Sequence, residues 1–252
     1  VHIAIVALCH LLNFFDEKVW TKETHEPGWT NQELQAYDAA HVSIGKDGDK
    51  SVLILTAERK GNKIYSGRIN SKGKKSFKYR KIEASIKLPK TNGGLWPAFW
   101  MMGDNDKEWP ACGEIDIMEM GEQSGMAAGD SEKQMNTAIH YGPSAAAHEQ
   151  QYYKANVANS LQDGNYHTYS LDWDEKSLPA VKLAGCVGDS RERCWRWKRL
   201  APSLCRGVPP ANAMSPAARQ SRGRPGSRCA APRHRSAVRC AGGPRLASAQ
   251  RR

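Results

Sequence analysis

The segment GEIDIMEM, residues 113–120, sets three carboxylates among apolar side chains. Its alternation of acid and isoleucine predicts a β-strand with the acids on one face and the apolar side chains on the other. Glu114 and Asp116 share a face, but Glu119 is five residues from Glu114 and would point to the opposite face of a regular strand. One extra residue near 117–118, a β-bulge, would return Glu119 to the acidic face. We therefore predict a bulged strand.

Three acids on one face of a sheet are costly unless they are solvated, bound to a metal or used in chemistry. Taken alone, the segment favours a solvated face or a Ca²⁺ site over catalysis. The choice between these interpretations depends on the sequence around the segment.

The chain around this segment reads as short strands separated by turns, without a long amphipathic helix. Such a pattern predicts an all-β sandwich or barrel. The predicted strands are SVLILTAE (51–58), YRKIEASIKL (79–88), the apolar run GLWPAFWMMG (94–103), residues 135–141 and HTYSLDW (167–173). Residues 121–133 and 142–165 are predicted loops.

The net charge of +11 is concentrated in the last part of the chain. Residues 1–178 hold 20 Lys+Arg and 24 Asp+Glu, whereas residues 179–252 hold 17 and 2. The basic residues also change from mostly Lys to mostly Arg, and the Arg/Pro/Ala-rich segment has no sustained period. We predict a folded domain over 14–178 and a tail over 179–252 that is disordered or the product of a shifted reading frame.

The first twelve residues, VHIAIVALCHLL, are apolar but too few to span a membrane. They fit either the remnant of a signal peptide or a buried strand. No other segment predicts a membrane span.

An ordered series of motifs resembles glycoside hydrolase family 16, most closely its laminarinase-like β-glucanases. The motifs are GWTNQELQAY (28–37), SGRINSKGK (66–74), IEASIKLP (82–89), GLWPAFWMMG (94–103), WPACGEIDIMEM (109–120) and HTYSLDW (167–173). The resemblance implies a concanavalin-like β-jelly-roll and hydrolysis of β-1,3 or mixed β-1,3/1,4 glucans with retention. Because the family continues with more strands where this chain has its Arg-rich tail, we expect an incomplete jelly roll.

Carried over by position, the resemblance makes Glu114 the nucleophile and Glu119 the general acid/base, with Asp116 between them. In a retaining mechanism one carboxylate attacks the anomeric carbon and the other protonates the leaving oxygen. The charge of Asp116 would raise the pKa of a neighbouring Glu and help to keep it protonated.

Further positions resemble substrate-contacting sites of the family, although each also has an ordinary structural interpretation. Aromatic rings suit sugars because the C–H faces of pyranoses pack on them. The candidate substrate-binding residues are Trp96, Trp109, Asn31, Glu33, Arg68 and His140. Trp100, inside an apolar run, is predicted to belong to the core, and His167 to be a core or capping residue.

No cofactor is expected, no metal ligand is assigned, and a structural Ca²⁺ stays open. The expected partner is a β-glucan polysaccharide, bound by a monomer that is secreted or displayed at the cell surface. Three alternatives remain. The first is a glucan-binding protein without catalysis, which the presence of all three carboxylates disfavours. The second is an inactive truncated product, because the last strands of the family are replaced by the tail. The third is a polyanion binder acting through the Arg-rich tail, which carries no recognisable nucleic-acid motif, so no specific nucleic acid is expected.

Overall fold

The structure is a computed structural model. It describes residues 14–91 and 93–175, together with the backbone of three strands at His2–Val6, Ala180–Ala184 and Arg193–Arg196. None of the helices in these parts of the chain has the length and apolar character that crossing a bilayer requires.

The described residues form sixteen strands and one short α-helix, α1 (Gln123–Ala127), with 3-10 turns at Ala39–His41 and Ala145–Ala147. In chain order the strands are β1 (His2–Val6), β2 (Thr21–Lys22), β3 (Ala36–Tyr37), β4 (Val42–Asp47), β5 (Lys50–Thr56), β6 (Glu58–Lys60), β7 (Lys63–Ser66), β8 (Ile69–Asn70), β9 (Lys81–Lys87), β10 (Ala98–Met102), β11 (Glu114–Glu119), β12 (Gln134–Tyr141), β13 (Glu149–Asn156), β14 (His167–Asp172), β15 (Ala180–Ala184) and β16 (Arg193–Arg196).

Two large antiparallel sheets account for most of these strands. The larger has the order β16-β15-β14-β9-β1-β5-β4, and the other is β10-β11-β12-β13. Two small sheets, β2-β8 and β3-β7-β6, lie outside them. The predicted all-β fold is confirmed, and the acidic segment is the second strand of the four-stranded sheet.

The hydrophobic core lies between the two large sheets. β9 and β14 contribute Ala84, Ile86, Tyr169 and Leu171, and the four-stranded sheet contributes Ile117, Met118, Met120, Met135 and Ile139. Burying an aliphatic side chain of this size stabilises the fold by roughly 1.5–3 kcal/mol. Because the core occupies one face of β11, the acids of that strand must lie on the face turned away from it.

Two predictions about strand positions are wrong. The segment 142–165 is not all loop, because it contains β13, a polar strand at the edge of the sheet. Strands also continue past Trp173: β15 pairs with β14, and β16 pairs with β15. Beyond residue 178 the structure describes only the backbone of these two strands, and the rest of the predicted tail lies outside the described residues. The predicted disorder or shifted reading frame of the tail stays a prediction. Within 121–133, five residues form α1.

The backbone of β1 is consistent with the second interpretation of the apolar N-terminal segment. β1 lies between β5 and β9 and pairs antiparallel with both, with Ala4 opposite Ile54 and Lys87. His167, at the start of β14, is buried and bonded to Asp163 at 2.9 Å, as its predicted core position requires.

Candidate active site

The bulge predicted from the spacing of the acids is present in β11. On one side of the strand, Phe99 pairs with Met118 and Trp100 with Asp116, so Ile117 is the extra residue. On the other side, the pairing with β12 shifts between Asp116 and Glu119. Ile117 and Met118 are consequently both buried in the core. The three acids lie together on the opposite face, as the alternation predicts.

The strand register shows which side chains surround each acid, because residues directly opposite in an antiparallel pair share a face. Glu114 lies between Met102 and His140, with Gln150 beyond. Asp116 lies between Trp100 and Ala138, with Tyr152 beyond. Glu119 lies between Ala98 and Asn136, with Lys154 beyond. The acidic face is thus a four-strand surface with the carboxylates on its second strand.

Each of the two glutamates accepts a hydrogen bond from an exposed tryptophan. The indole nitrogen of Trp109 donates to Glu114 Oε2 at 2.5 Å, and that of Trp96 donates to Glu119 Oε1 at 2.9 Å. About half of Trp96 is exposed. Both indoles therefore orient a carboxylate while leaving apolar ring surface open to a ligand.

Asp116 is the most buried of the three acids, with 2% of its surface exposed. Its Oδ2 lies 3.1 Å from His140 Nε2. Its Oδ1 has no hydrogen-bond donor among the described residues, and a carboxyl oxygen of Glu114 lies within 4.8 Å of one of Asp116. Two carboxyls this close repel each other when both are ionised. Their crowding therefore favours a state in which one of the two carries a proton.

The electrostatics lead to the same conclusion. Burial, together with the charge of Asp116, raises the pKa of Glu114 to about 7 against the effect of His140 and of the Trp109 hydrogen bond. Burial and the charge of Glu119 raise the pKa of Asp116 to about 8. Burial also raises the pKa of Glu119, which the Trp96 hydrogen bond partly offsets. Raised pKa values of this kind favour a face that holds both an ionised and a protonated carboxyl near neutral pH, the pair that acid–base chemistry at a glycosidic bond needs.

A metal ion is the other species that crowded acids can hold. One ligand atom from each of Glu114, Asp116 and His140 lies within 4.8 Å of the other two. The hydrogen bonds of His140 to Asp116 and of Trp109 to Glu114 already engage these side chains, so we assign the cluster no ion. The predicted absence of a cofactor stays a prediction.

Arg68 and three aromatic residues, Trp29, Tyr37 and Trp100, form a cluster beside the acidic face, which we call the Arg68 group. The Arg68 guanidinium packs over the rings of Trp100, Trp29 and Tyr37 at 4.9–5.4 Å, and its Nε donates to Glu23 at 2.6 Å. Because Trp100 lies opposite Asp116, this packing connects Arg68 to the acidic face. The same register contradicts the predicted core position of Trp100: it shares the face of Asp116, whereas Phe99 and Met101 pack on the core.

The remaining predicted site residues are spread more widely. Glu33 accepts hydrogen bonds from Tyr37 and Gln35 at 2.7 Å, which places it beside the Arg68 group. Asn31 lies in a tight turn with φ of 49°, as its alternative interpretation as a turn residue suggests. The roles of Asn31, Glu33, Arg68 and His140 in substrate binding stay predictions.

Sequence reasoning missed several neighbours of the acids. Tyr152 and Lys154 lie on β13 in the rows of Asp116 and Glu119, and both bond to Glu122, at 2.6 and 3.5 Å. The edge-strand pairing that brings them there is not visible from their own sequence. His148 is a further such residue and is bonded to His140.

Comparison with known proteins gives consistent matches. The family model described as Glycosyl hydrolases family 16 matches residues 27–179. A mixed linkage glucan GH16 protein of Bacteroides ovatus, solved in complex with a G4G4G3G product, is 86% identical, with 73% of this chain and 76% of that chain covered and a TM-score of 0.68. A laminarinase of Flavobacterium sp. UMI-01 is 31% identical, with 68% and 69% covered and a TM-score of 0.51.

Among curated proteins, a beta-glucanase of Rhodothermus marinus is 38% identical over 111 residues, which is 41% of this chain and 38% of that protein. The chain spans 20–38% of the length of the first three curated relatives it matches.

Proposed function

Since the chain belongs to glycosyl hydrolase family 16, we propose that it hydrolyses internal bonds of β-glucans, with mixed-linkage β-1,3/1,4-glucan as the preferred polymer. The observation that carries the reaction is the bulge of β11, which gathers Glu114, Asp116 and Glu119 on one face. The choice of polymer follows the name of the Bacteroides ovatus relative at 86% identity.

The proposed reaction is a double displacement. Glu114, ionised and oriented by Trp109, attacks the anomeric carbon, while Glu119, whose pKa is raised by burial, acts in its protonated form and gives its proton to the leaving oxygen. Water then hydrolyses the glycosyl ester with Glu119 acting as base. Asp116 exchanges a proton with Glu114, so that Glu114 is freed to attack and is reprotonated after it leaves the sugar.

Substrate contacts follow from the exposed rings beside the acids. Trp96 and Trp109 offer ring surface at the two ends of the carboxylate row, and the Arg68 group with Glu33 extends the surface beyond Trp100. A polymer reaching across these groups would be held at several sugars, which suits cleavage within the chain. We propose that the protein acts as a monomer outside the cell or at its surface, where a glucan polymer is found.

The test compares the parent chain with Glu114→Gln and Glu119→Gln on barley mixed-linkage glucan and on laminarin. We expect each variant to lose at least 100-fold in kcat, as general acid or nucleophile removal does. Glu149→Gln, an exposed carboxylate on β13 of the same sheet, is the matched control and should keep full activity. The anomer first released, followed by proton NMR, should be the β form if configuration is retained.

Binding of glucan without release of oligosaccharides by the parent would instead establish the non-catalytic alternative. A parent that cleaves laminarin faster than mixed-linkage glucan would contradict the proposed polymer but not the reaction.

A further inference from the structure

His148 lies at the rim of the acidic face, between the 3-10 turn Ala145–Ala147 and the start of β13. Its Nε2 is 2.9 Å from Nδ1 of His140, and the two rings stack with centroids 5.1 Å apart at 18°. On another side, the ring of Trp109 lies 4.7 Å away. The imidazole is thus held by an aromatic contact and a hydrogen bond to a ring that itself contacts Asp116.

His148, His140 and Asp116 form a continuous chain of hydrogen bonds. His140 uses Nδ1 toward His148 and Nε2 toward Asp116 Oδ2. A neutral imidazole has one donor and one acceptor nitrogen. If Nε2 donates to an ionised Asp116, Nδ1 must accept from His148; if Asp116 is protonated on Oδ2, every bond in the chain reverses. The protonation state of Asp116 therefore sets the tautomers of both histidines.

A proton needs such a route because Asp116 is buried. Its carboxyl faces Glu114 and lies in the row of Trp100, and a glucan on the acidic face would cover this side. We propose that His148 is a positioning and proton-transfer residue, which connects Asp116 to the outer loop through His140 while substrate occupies the face. This inference deepens the proposed function and rests on it for its kinetic consequence.

The transfer balances as a relay of one proton. A proton added at His148 Nδ1 is matched by the movement of the Nε2 proton of His148 to His140 Nδ1. The Nε2 proton of His140 then moves to Asp116 Oδ2. Both histidines end neutral with reversed tautomers, Asp116 gains one proton, and the reverse sequence returns it to solvent.

The loop geometry that presents His148 depends on one glycine. Gly142 has φ of 126°, and a Cβ on it would collide with the carbonyl oxygen of Ala147. The chain therefore folds back tightly between 142 and 147, closed by a hydrogen bond from the Ala147 amide to the Ser144 carbonyl. Because His148 follows directly, its ring position is set by this turn rather than by β13 alone.

Several carboxyls surround the two rings. From β11, the carboxyls of Glu114 and Glu119 interact electrostatically with His140, and Asp116 is bonded to it. From β13, the exposed Glu149 directly follows His148 in the chain.

The kinetic test uses His148→Ala and His148→Gln in the full chain, with Ser144→Ala on the same exposed loop as control. Gln can keep a hydrogen bond to His140 but cannot relay a proton. We expect both His148 variants to lose roughly tenfold in kcat, below the 10²–10⁴ of a direct acid or base, with KM within twofold. Added 4-methylimidazole should restore kcat of His148→Ala, whereas thiazole, a similar ring that stays unprotonated near neutral pH, should not.

A kcat of His148→Gln equal to that of the parent, or equal rescue by thiazole, would show that His148 only packs or orients and would overturn the relay. A second measurement needs no substrate: the ¹⁵N shifts of the histidine rings across pH. His140 and His148 should change tautomer with one shared midpoint, which disappears in Asp116→Asn. Independent midpoints, unchanged in that variant, would overturn the inference even if the chain hydrolyses glucan, and a shared midpoint would support the chain even if it does not.

Discussion

Replacing Asp116 by Asn should stabilise the protein at alkaline pH. A carboxyl whose pKa is raised on folding contributes stability below its unfolded pKa and loses it as the pH rises through its folded pKa. For Asp116 this window runs from 3.8 to about 8. The parent should therefore lose stability across this range, whereas Asn, which never ionises, should not.

The magnitude follows from the shift. At about 1.36 kcal/mol per pKa unit, the window of about four units sets an upper limit near 6 kcal/mol. Because the titrations of Glu114, Asp116 and Glu119 are coupled, only part of this limit belongs to Asp116, and we take about half of it, roughly 3 kcal/mol. An imperfect amide hydrogen bond costs about 1 kcal/mol more. We expect Asp116→Asn to be more stable than the parent by about 2 kcal/mol at pH 8.5 and less stable by about 1 kcal/mol at pH 4, where only the cost of the amide remains.

Urea unfolding followed by tryptophan fluorescence at pH 4, 5.5, 7 and 8.5 measures this difference, provided that the slope with urea is unchanged. Glu149→Gln removes an exposed carboxylate from the same sheet and should follow the parent at every pH. A difference between Asp116→Asn and the parent that is constant with pH, or a variant less stable at pH 8.5, would refute the raised pKa of Asp116.

Two further substitutions test the hydrogen bond from Trp109 to Glu114 and the close approach of the Leu95 backbone to Gly121. Trp109→Phe removes the donor that lowers the pKa of Glu114, so the acid limb of the pH profile of kcat/KM should move to higher pH; an unmoved limb would contradict this role. Gly121→Ala should destabilise the fold by roughly 2 kcal/mol or more, because φ is 115° and a Cβ would collide with the Leu95 carbonyl and press on Trp96. Thermal unfolding measures this loss, and a melting temperature equal to that of the parent would contradict it.

The acidic strand was predictable because its own sequence contains both the alternation and its violation. Charge marks one face and isoleucine the other, so the odd spacing of Glu119 is visible without any knowledge of neighbouring strands. The jelly-roll architecture, in contrast, came from the resemblance, since alternation alone left sandwich and barrel open.

Trp100 shows why other site residues were not predictable. In AFWMM every residue is apolar or small, so no polar side chain marks which face is the core. Only the pairing with β11 resolves it. The prediction missed β13 for the opposite reason: its sequence EQQYYKAN lies on an edge strand, is mostly polar and has too little apolar alternation to be recognised. The position of His148 beside His140 depends on both β13 and the turn before it, so this residue was not predictable either.

The bulge in β11 determines how this segment can change in length. Between Asp116 and Glu119 the strand has two core residues in succession, Ile117 and Met118. Deleting either one would remove the bulge and leave a regular strand, in which Glu119 stands four positions from Glu114 and stays on the acidic face. Deleting both would leave three positions between the two glutamates and turn Glu119 towards the methionine-rich core. The three carboxylates should therefore stay together after the loss of one of these two residues but not after the loss of both.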